Sequence, residues 1–189
     1  MNDFEKEFWG TCVNTYGEET KQLVYAKRMK LSSYHDGRSP FNFDMRGKKV
    51  IDIGGGPVSL LLKCTGLSKG TIVDPLNFPL WIYNRYELAG LTSLPLRGED
   101  ALPRRMGHFD EAWIYNVLQH TDNPKLVIQN ARGLADTVRL FEWIDLPPHP
   151  GHPHELKKEL LDEWLGKTGQ TEWINEAGCT GHAYYGVFH

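Results

Sequence analysis

Apolar residues fall along this chain in two rhythms. Short, largely apolar runs predict buried strands over 50–53, 70–75, 92–96 and 138–145, with a further apolar centre inside 109–120. Two later runs, 171–174 and 183–188, predict a closing pair of strands. Between them, helical spacing predicts helices over 4–13, 18–31, 59–66, 78–90, 123–135 and 155–165. Leu23, Val24, Ala26 and Met29 form one apolar face of the second helix, while Glu18, Glu19, Lys21, Lys27 and Lys30 form a polar one. Pro124 starts its helix in the first turn, and Gly90 and Gly166 close theirs. Strand and helix alternate, which predicts an α/β three-layer sandwich around a mostly parallel sheet. The segment 32–46, rich in Ser, Gly, Pro and Asp, reads as a connection or flap.

A length of 189 residues with 40% apolar and 12% aromatic content predicts one domain over 1–189, with 1–46 preceding a core at 47–189. The net charge of −3 supplies no general basic field for nucleic acid. Cys12, Cys64 and Cys179 are too few and scattered for a disulfide framework, which fits a reducing compartment. The first six residues do not read as a targeting segment, and no apolar run is long enough to span a bilayer, so the expected setting is cytoplasmic and membrane-free.

The chemistry concentrates at Gly54, Gly55 and Gly56, where an apolar strand enters and a leucine-rich run leaves. Consecutive glycines permit positive φ and let a ligand approach the backbone. A dinucleotide fingerprint needs a third glycine where this chain has Ser59. Asp52, just before the glycines, would repel a pyrophosphate and attract an ammonium or sulfonium. Asp74 ends the next strand, 22 residues later, where an acidic residue can accept from both ribose hydroxyls.

The run Asp52-Ile53-Gly54-Gly55-Gly56-Pro57 resembles the first motif of class I S-adenosylmethionine-dependent methyltransferases, although Val58 stands where many members have another glycine. The resemblance implies a Rossmann-like seven-stranded sheet with an antiparallel last strand, and S-adenosyl-L-methionine as cofactor. It implies that Asp52, Gly54, Gly55 and Gly56 hold the methionine end and that Asp74 holds the ribose. Before Leu102-Pro103, Asp100 resembles the adenine-side acid, with Glu99 the alternative. The stretch 109–120 resembles the fourth strand, so Asn116 falls at the cofactor and His120 near the acceptor. Residues 1–46 would form a lid, with Tyr16, Tyr25, Tyr34 and His35 its candidate contacts.

These residues imply methyl transfer to an O, N, S or C atom of a small molecule. Asn116 is followed by Val117-Leu118 rather than the Pro-Pro-aromatic sequence of DNA amino-methylating enzymes. His120 is the first candidate base, since a histidine can take a proton near neutral pH. His149, His152 and His154, in a loop with four prolines, are candidates for substrate contact or for the base; the loop gives them no metal-ligand register, and no metal is expected. Two rival readings stand beside this one. A nucleic-acid or protein acceptor would use Lys27, Arg28, Lys30, Arg104 and Arg105, and a non-catalytic cofactor-binding subunit would need a partner.

Overall fold

The computed structural model describes residues 7–10, 12, 15–34 and 42–189, and the side chains of Tyr16, Ser33 and Tyr34 are not among what it describes. The main sheet has seven strands: β1 (Lys49–Ile53), β2 (Lys69–Val73), β3 (Leu91–Leu94), β4 (Phe109–Tyr115), β5 (Ala135–Trp143), β6 (Gln170–Glu176) and β7 (Cys179–Phe188). Their spatial order is β3-β2-β1-β4-β5-β7-β6. The first five strands pair in parallel, whereas β7 runs antiparallel to both β5 and β6. The order reverses between β1 and β4, which opens a crevice beyond their carboxyl ends.

Five described helices cover the sheet: α1 (Thr15–Arg28), α2 (Leu80–Leu88), α3 (Pro103–Met106), α4 (Pro124–Leu134) and α5 (Lys158–Leu165). Strand alternation sorts the core between the two faces. Ile51, Ile53, Ala112 and Ile114 pack with Val127, Ile128 and Ala131 of α4 and Leu161 and Leu165 of α5. Val50, Trp113 and Tyr115 pack with Val24, Tyr25 and Met29 of α1 and Ile82 and Tyr86 of α2. Both faces are covered, so the central strands read as apolar runs in the sequence. Capping agrees with the sequence: Asn123 accepts from Leu126 N–H at 3.0 Å at the start of α4, and α5 stops at Gly166 with φ 64°.

The helix expected over 59–66 is replaced by a single 3₁₀ turn, Leu60–Lys63, followed by the two-residue strand Cys64–Thr65. The cause is local. Leu60 and Leu61 are both buried, and Cys64–Thr65 is drawn out to pair with Asn42–Asp44 in a three-stranded sheet with Ser33–Tyr34. The leucine run therefore fills core instead of presenting an amphipathic face. Of the helix expected over 4–13, residues 7–9 are helical, and the remainder lies largely outside the described residues.

β6 and β7 are joined by Ala177 and Gly178, with φ 52° and 76°, a two-residue hairpin turn tighter than the 175–182 connection expected. Arg28 at the end of α1 is buried and reaches across to Glu172, at 3.1 Å, and to Glu176 of β6. The N-terminal helix is thus tied to the last hairpin.

Candidate active site

A cavity of about 460 Å³ opens beyond the carboxyl ends of β1, β2 and β4. Its floor is the glycine loop, where Gly54 and Gly56 have φ of 77° and 61°. A side chain at Gly54 would meet the Val117 methyls at 2.5 Å, and one at Gly55 would meet the Asp52 carboxylate at 2.7 Å. At Gly56 a Cβ would meet nothing within 4 Å, so the backbone there faces open space.

Side chains hold this loop from beneath in place of a helix. Ser59 Oγ donates to Asp52 at 2.5 Å and accepts from Leu61 N–H at 3.1 Å. The Tyr86 hydroxyl donates to Gly56 O at 2.6 Å and accepts from Ser59 N–H at 3.1 Å. The Tyr115 hydroxyl accepts from Leu60 N–H at 3.0 Å and donates to Asp52. The amides of Ser59, Leu60 and Leu61 are therefore engaged by the protein's own hydroxyls. A pyrophosphate would find no helix N-terminus with free amides here.

Asp52 lies under the loop, fully buried, and does not line the cavity. Burial pushes its pKa up to about 7, against the opposing hydrogen bonds of Ser59 and Tyr115, with the negative charge of Asp74 adding to the rise. Its place follows from strand alternation: Ile51 and Ile53 face α4, so Asp52 faces the α1 and α2 layer.

Asp74 lines the cavity at the end of β2 and accepts from Gly56 N–H at 3.0 Å and Leu76 N–H at 2.9 Å. It therefore links the glycine loop to the loop after β2. Glu99 also lines the cavity; its Oε1 accepts from Asp122 N–H at 2.9 Å and Asn123 N–H at 3.1 Å. Asp100 is exposed and outside the cavity lining. Asn130 fixes that turn by donating to Gly98 O and Glu99 O at 3.1 and 2.7 Å, which leaves Glu99, rather than Asp100, facing the cavity. Arg97 and Asp122, paired at 2.7 Å, join the same wall and were not singled out from sequence.

After β4, Asn116 takes the left-handed conformation, φ 56°, and lines the cavity with Val117 and His120. Such a φ is strained for a residue with a Cβ, and a buried carboxylate holds it there. Glu142 Oε1 accepts from Val117 N–H at 2.9 Å and Leu118 N–H at 3.0 Å, with burial raising its pKa to about 7. An acid set between Phe141 and Trp143 near the end of β5 was its sequence signal.

His120 Nδ1 lies 2.8 Å from Gly151 O, and its ring meets His152 edge-on with centroids 4.5 Å apart. A carbonyl only accepts, so Nδ1 carries the proton and Nε2 the lone pair of the neutral ring. His152 lines the cavity, while His149 stands behind it, exchanging backbone hydrogen bonds with His152 at 2.9 and 2.8 Å. Among the described residues no group of three or more potential ligands could hold a metal ion.

The remaining wall comes from α1, the end of β5 and the last hairpin: Glu18, Lys21, Gln22, Tyr25, Trp143, Leu146, Cys179 and Thr180, with Phe8 and Trp9 beyond. Of the aromatic lid candidates, Tyr25 lines the cavity, whereas the Tyr16 and Tyr34 side chains and all of His35 lie outside the described residues. Trp143 and the hairpin tip were not anticipated, since only the folded topology brings β5 and β7 over α1.

A sheet in this order, with only the last strand in the chain reversed and its crevice beyond β1 and β4, is the class I methyltransferase fold. Solved structures of that fold are similar along nearly the whole chain. The 1,6-didemethyltoxoflavin-N1-methyltransferase of Burkholderia thailandensis, with 1,6-didemethyltoxoflavin and S-adenosylhomocysteine bound, superposes with a TM-score of 0.64 at 17% identity, over 98% of this chain and 84% of that one. The magnesium protoporphyrin IX methyltransferase of Synechocystis PCC 6803 gives 0.59 at 16% identity, over 93% and 81%. A Haloferax volcanii putative methyltransferase in complex with the Trm112 methyltransferase activator gives 0.64 at 15% identity, over 95% and 83%. No protein-family model matches the sequence, and no curated protein matches it.

Proposed function

We propose that the protein transfers a methyl group from S-adenosyl-L-methionine to a small-molecule acceptor. The observation that carries this reading is the cavity itself. Its described lining holds four carboxylates, Glu18, Asp74, Glu99 and Asp122, against two cations, Lys21 and Arg97, above a glycine loop whose following amides are already engaged. That balance suits a cationic sulfonium and ammonium and opposes a pyrophosphate. The open backbone at Gly56 and the carboxylate of Asp74 fit a nucleoside-bearing ligand laid along the ends of β1 and β2.

When bound, S-adenosylmethionine supplies an electrophilic methyl group on sulfur. Gly54, Gly55, Gly56 and Asn116 would hold its methionine end, Asp74 its ribose and Glu99 its adenine side. The chain's own work is then alignment, exclusion of water and proton removal. α1 and the hairpin after β6 cover the acceptor side, and His120 Nε2 would take the proton that the acceptor gives up. His120→Ala is expected to leave cofactor affinity unchanged and to lower turnover about 100-fold. An alanine variant with undiminished turnover removes His120 from the mechanism.

The test is incubation with methyl-labelled S-adenosylmethionine and an extract of small metabolites. Label passing into low-mass compounds, with S-adenosylhomocysteine formed in step, is the expected result. Label in RNA, DNA or protein would favour a macromolecular acceptor, a reading weakened because Arg28 is engaged by Glu172 and Glu176. A second reading, a cofactor-binding subunit that needs a partner, draws on the activator complex of the Haloferax neighbour and on Leu80, Trp81 and Leu88, which are 73%, 50% and 89% exposed around α2. Turnover only on addition of a second protein would favour it.

A further inference from the structure

The acceptor side of the cavity is walled by an aromatic cluster whose rings are fixed before any ligand arrives. Tyr25 of α1 lies against Phe141 with centroids 4.4 Å apart, and Phe141 meets Trp143 edge-to-face at 5.1 Å and 88°. Tyr25 and Trp143 stand 6.4 Å apart at 77°. Burial keeps the Tyr25 hydroxyl protonated, with a hydrogen bond donated by the Trp143 indole acting in the other direction. Beneath the Trp143 ring lies Gly181 of β7, where a Cβ would come within 3.1 Å of the indole. The indole is thus held in place by the Gly181 backbone and two other rings, and both Tyr25 and Trp143 line the cavity.

We infer that the acceptor is a planar aromatic or heteroaromatic small molecule, stacked on Trp143 with its reacting heteroatom toward His120. The inference rests on the proposed methyl transfer and specifies its acceptor. A rigid flat wall costs a flat ligand little ordering and gains ring–ring contact, whereas a puckered ring or flexible chain of equal area gains no such contact. The compartment also supplies polar groups: the His120 and His152 imidazoles and, on α1 before Tyr25, the Glu18–Lys21 ion pair at 2.6 Å. A hydroxyl or amine on the ring edge meets those groups while the ring face stays on the indole. In the reaction the heteroatom's lone pair forms the new bond to the methyl carbon, the carbon–sulfur pair returns to sulfur, and the heteroatom's proton passes to His120.

The test compares 2-naphthol with trans-decahydro-2-naphthol, which carries the same hydroxyl on a puckered, saturated frame. Both are titrated by calorimetry into the protein, with and without saturating S-adenosylhomocysteine, whose own affinity is measured first. The expected result is about tenfold tighter binding of 2-naphthol. Trp143→Leu should remove that preference while Trp143→Phe keeps most of it, and the S-adenosylhomocysteine affinity of each variant reports an intact cradle. Intermolecular NOEs from 2-naphthol to the Trp143 indole of the unaltered protein are expected whether or not the leucine variant folds. Equal or undetectable binding of the two probes, a preference that survives in the leucine variant, or NOEs absent from Trp143 would each overturn the inference. Failure to bind S-adenosylhomocysteine at all, with the naphthol preference intact, would instead overturn the methyl-transfer reading.

Discussion

Buried carboxylates stand at both ends of the sheet, and they are held in opposite ways. Near the amino end of β4, Glu111 is met by Arg139 at 2.6 Å, by Lys48 and by the Trp113 indole at 2.8 Å. Its burial would raise its pKa, yet these hydrogen bonds and charges overcome that and hold it at about 2. At the carboxyl end, Asp52 is held by two hydroxyls, and Asp74 and Glu142 by two backbone amides each. Asp52 and Glu142 rise to about 7, burial being the main cause. The amino end is a closed ion cluster, which also anchors α1 because Arg139 donates to Met29 O at 2.6 Å. The cavity lining at the carboxyl end holds four carboxylates against the two cations Lys21 and Arg97, so its field is negative toward whatever enters. Along that lining Lys21 lies 2.6 Å from Glu18, and Arg97 lies 2.7 Å from Asp122 and 3.4 Å from Glu99.

The contrast breaks most visibly at Glu111. Glu111→Ala strands Arg139, which is 14% exposed, and should destabilise the fold by about 3–5 kcal/mol in chemical denaturation. Per folded molecule, its affinity for S-adenosylhomocysteine should be unchanged. A loss under about 1 kcal/mol would mean that the cluster is not what secures this end.

Asp74→Ala should act the other way round. It should weaken S-adenosylhomocysteine binding by about 1.5–3 kcal/mol, roughly 10- to 100-fold, with a smaller loss of stability from the freed Gly56 and Leu76 amides. Unfolding with retained affinity would make Asp74 a loop brace alone.

The remaining effect is a slope. Because the folded pKa of Asp52 lies above its ordinary 3.8, its contribution to stability is full below that value and is lost as pH rises toward about 7. For Glu111 the folded pKa lies below 4.5, so its contribution is present above that value and is lost as pH falls toward about 2. Asp52→Asn should therefore flatten the decline in stability between pH 4 and 7, leaving the acid limb intact. An unchanged slope would place the titrating group elsewhere, with Glu142 the next candidate.

Much of this fold is legible in the residues, because strands covered on both faces leave unbroken apolar runs and caps such as Asn123-Pro124 mark helix starts. The cavity floor is legible for the same reason, since Gly54, Gly56 and Asp74 sit where strands end. The side a carboxylate faces was harder to read. Asp52 precedes the glycines in sequence, but alternation turns it away from the cavity into a hydroxyl network with Ser59 and Tyr115. Leu60-Leu61-Leu62 looks like the start of a helix, yet the hydroxyls of Ser59, Tyr86 and Tyr115 bind the amides around it, and the pairing of Cys64 with Phe43 pulls the chain straight. The acceptor wall depends on contacts between residues more than 100 positions apart, such as Arg28 with Glu172, and no local pattern announces these.

The central claim is that a cavity with acidic walls and engaged loop amides takes an S-adenosyl ligand rather than a dinucleotide. Titration calorimetry with S-adenosylhomocysteine and, separately, with NAD tests it directly. Saturable one-to-one binding of S-adenosylhomocysteine, weakened roughly 10- to 100-fold in Asp74→Ala, with no measurable heat from NAD, is the expected result. Tight binding of NAD with no response to S-adenosylhomocysteine would contradict it.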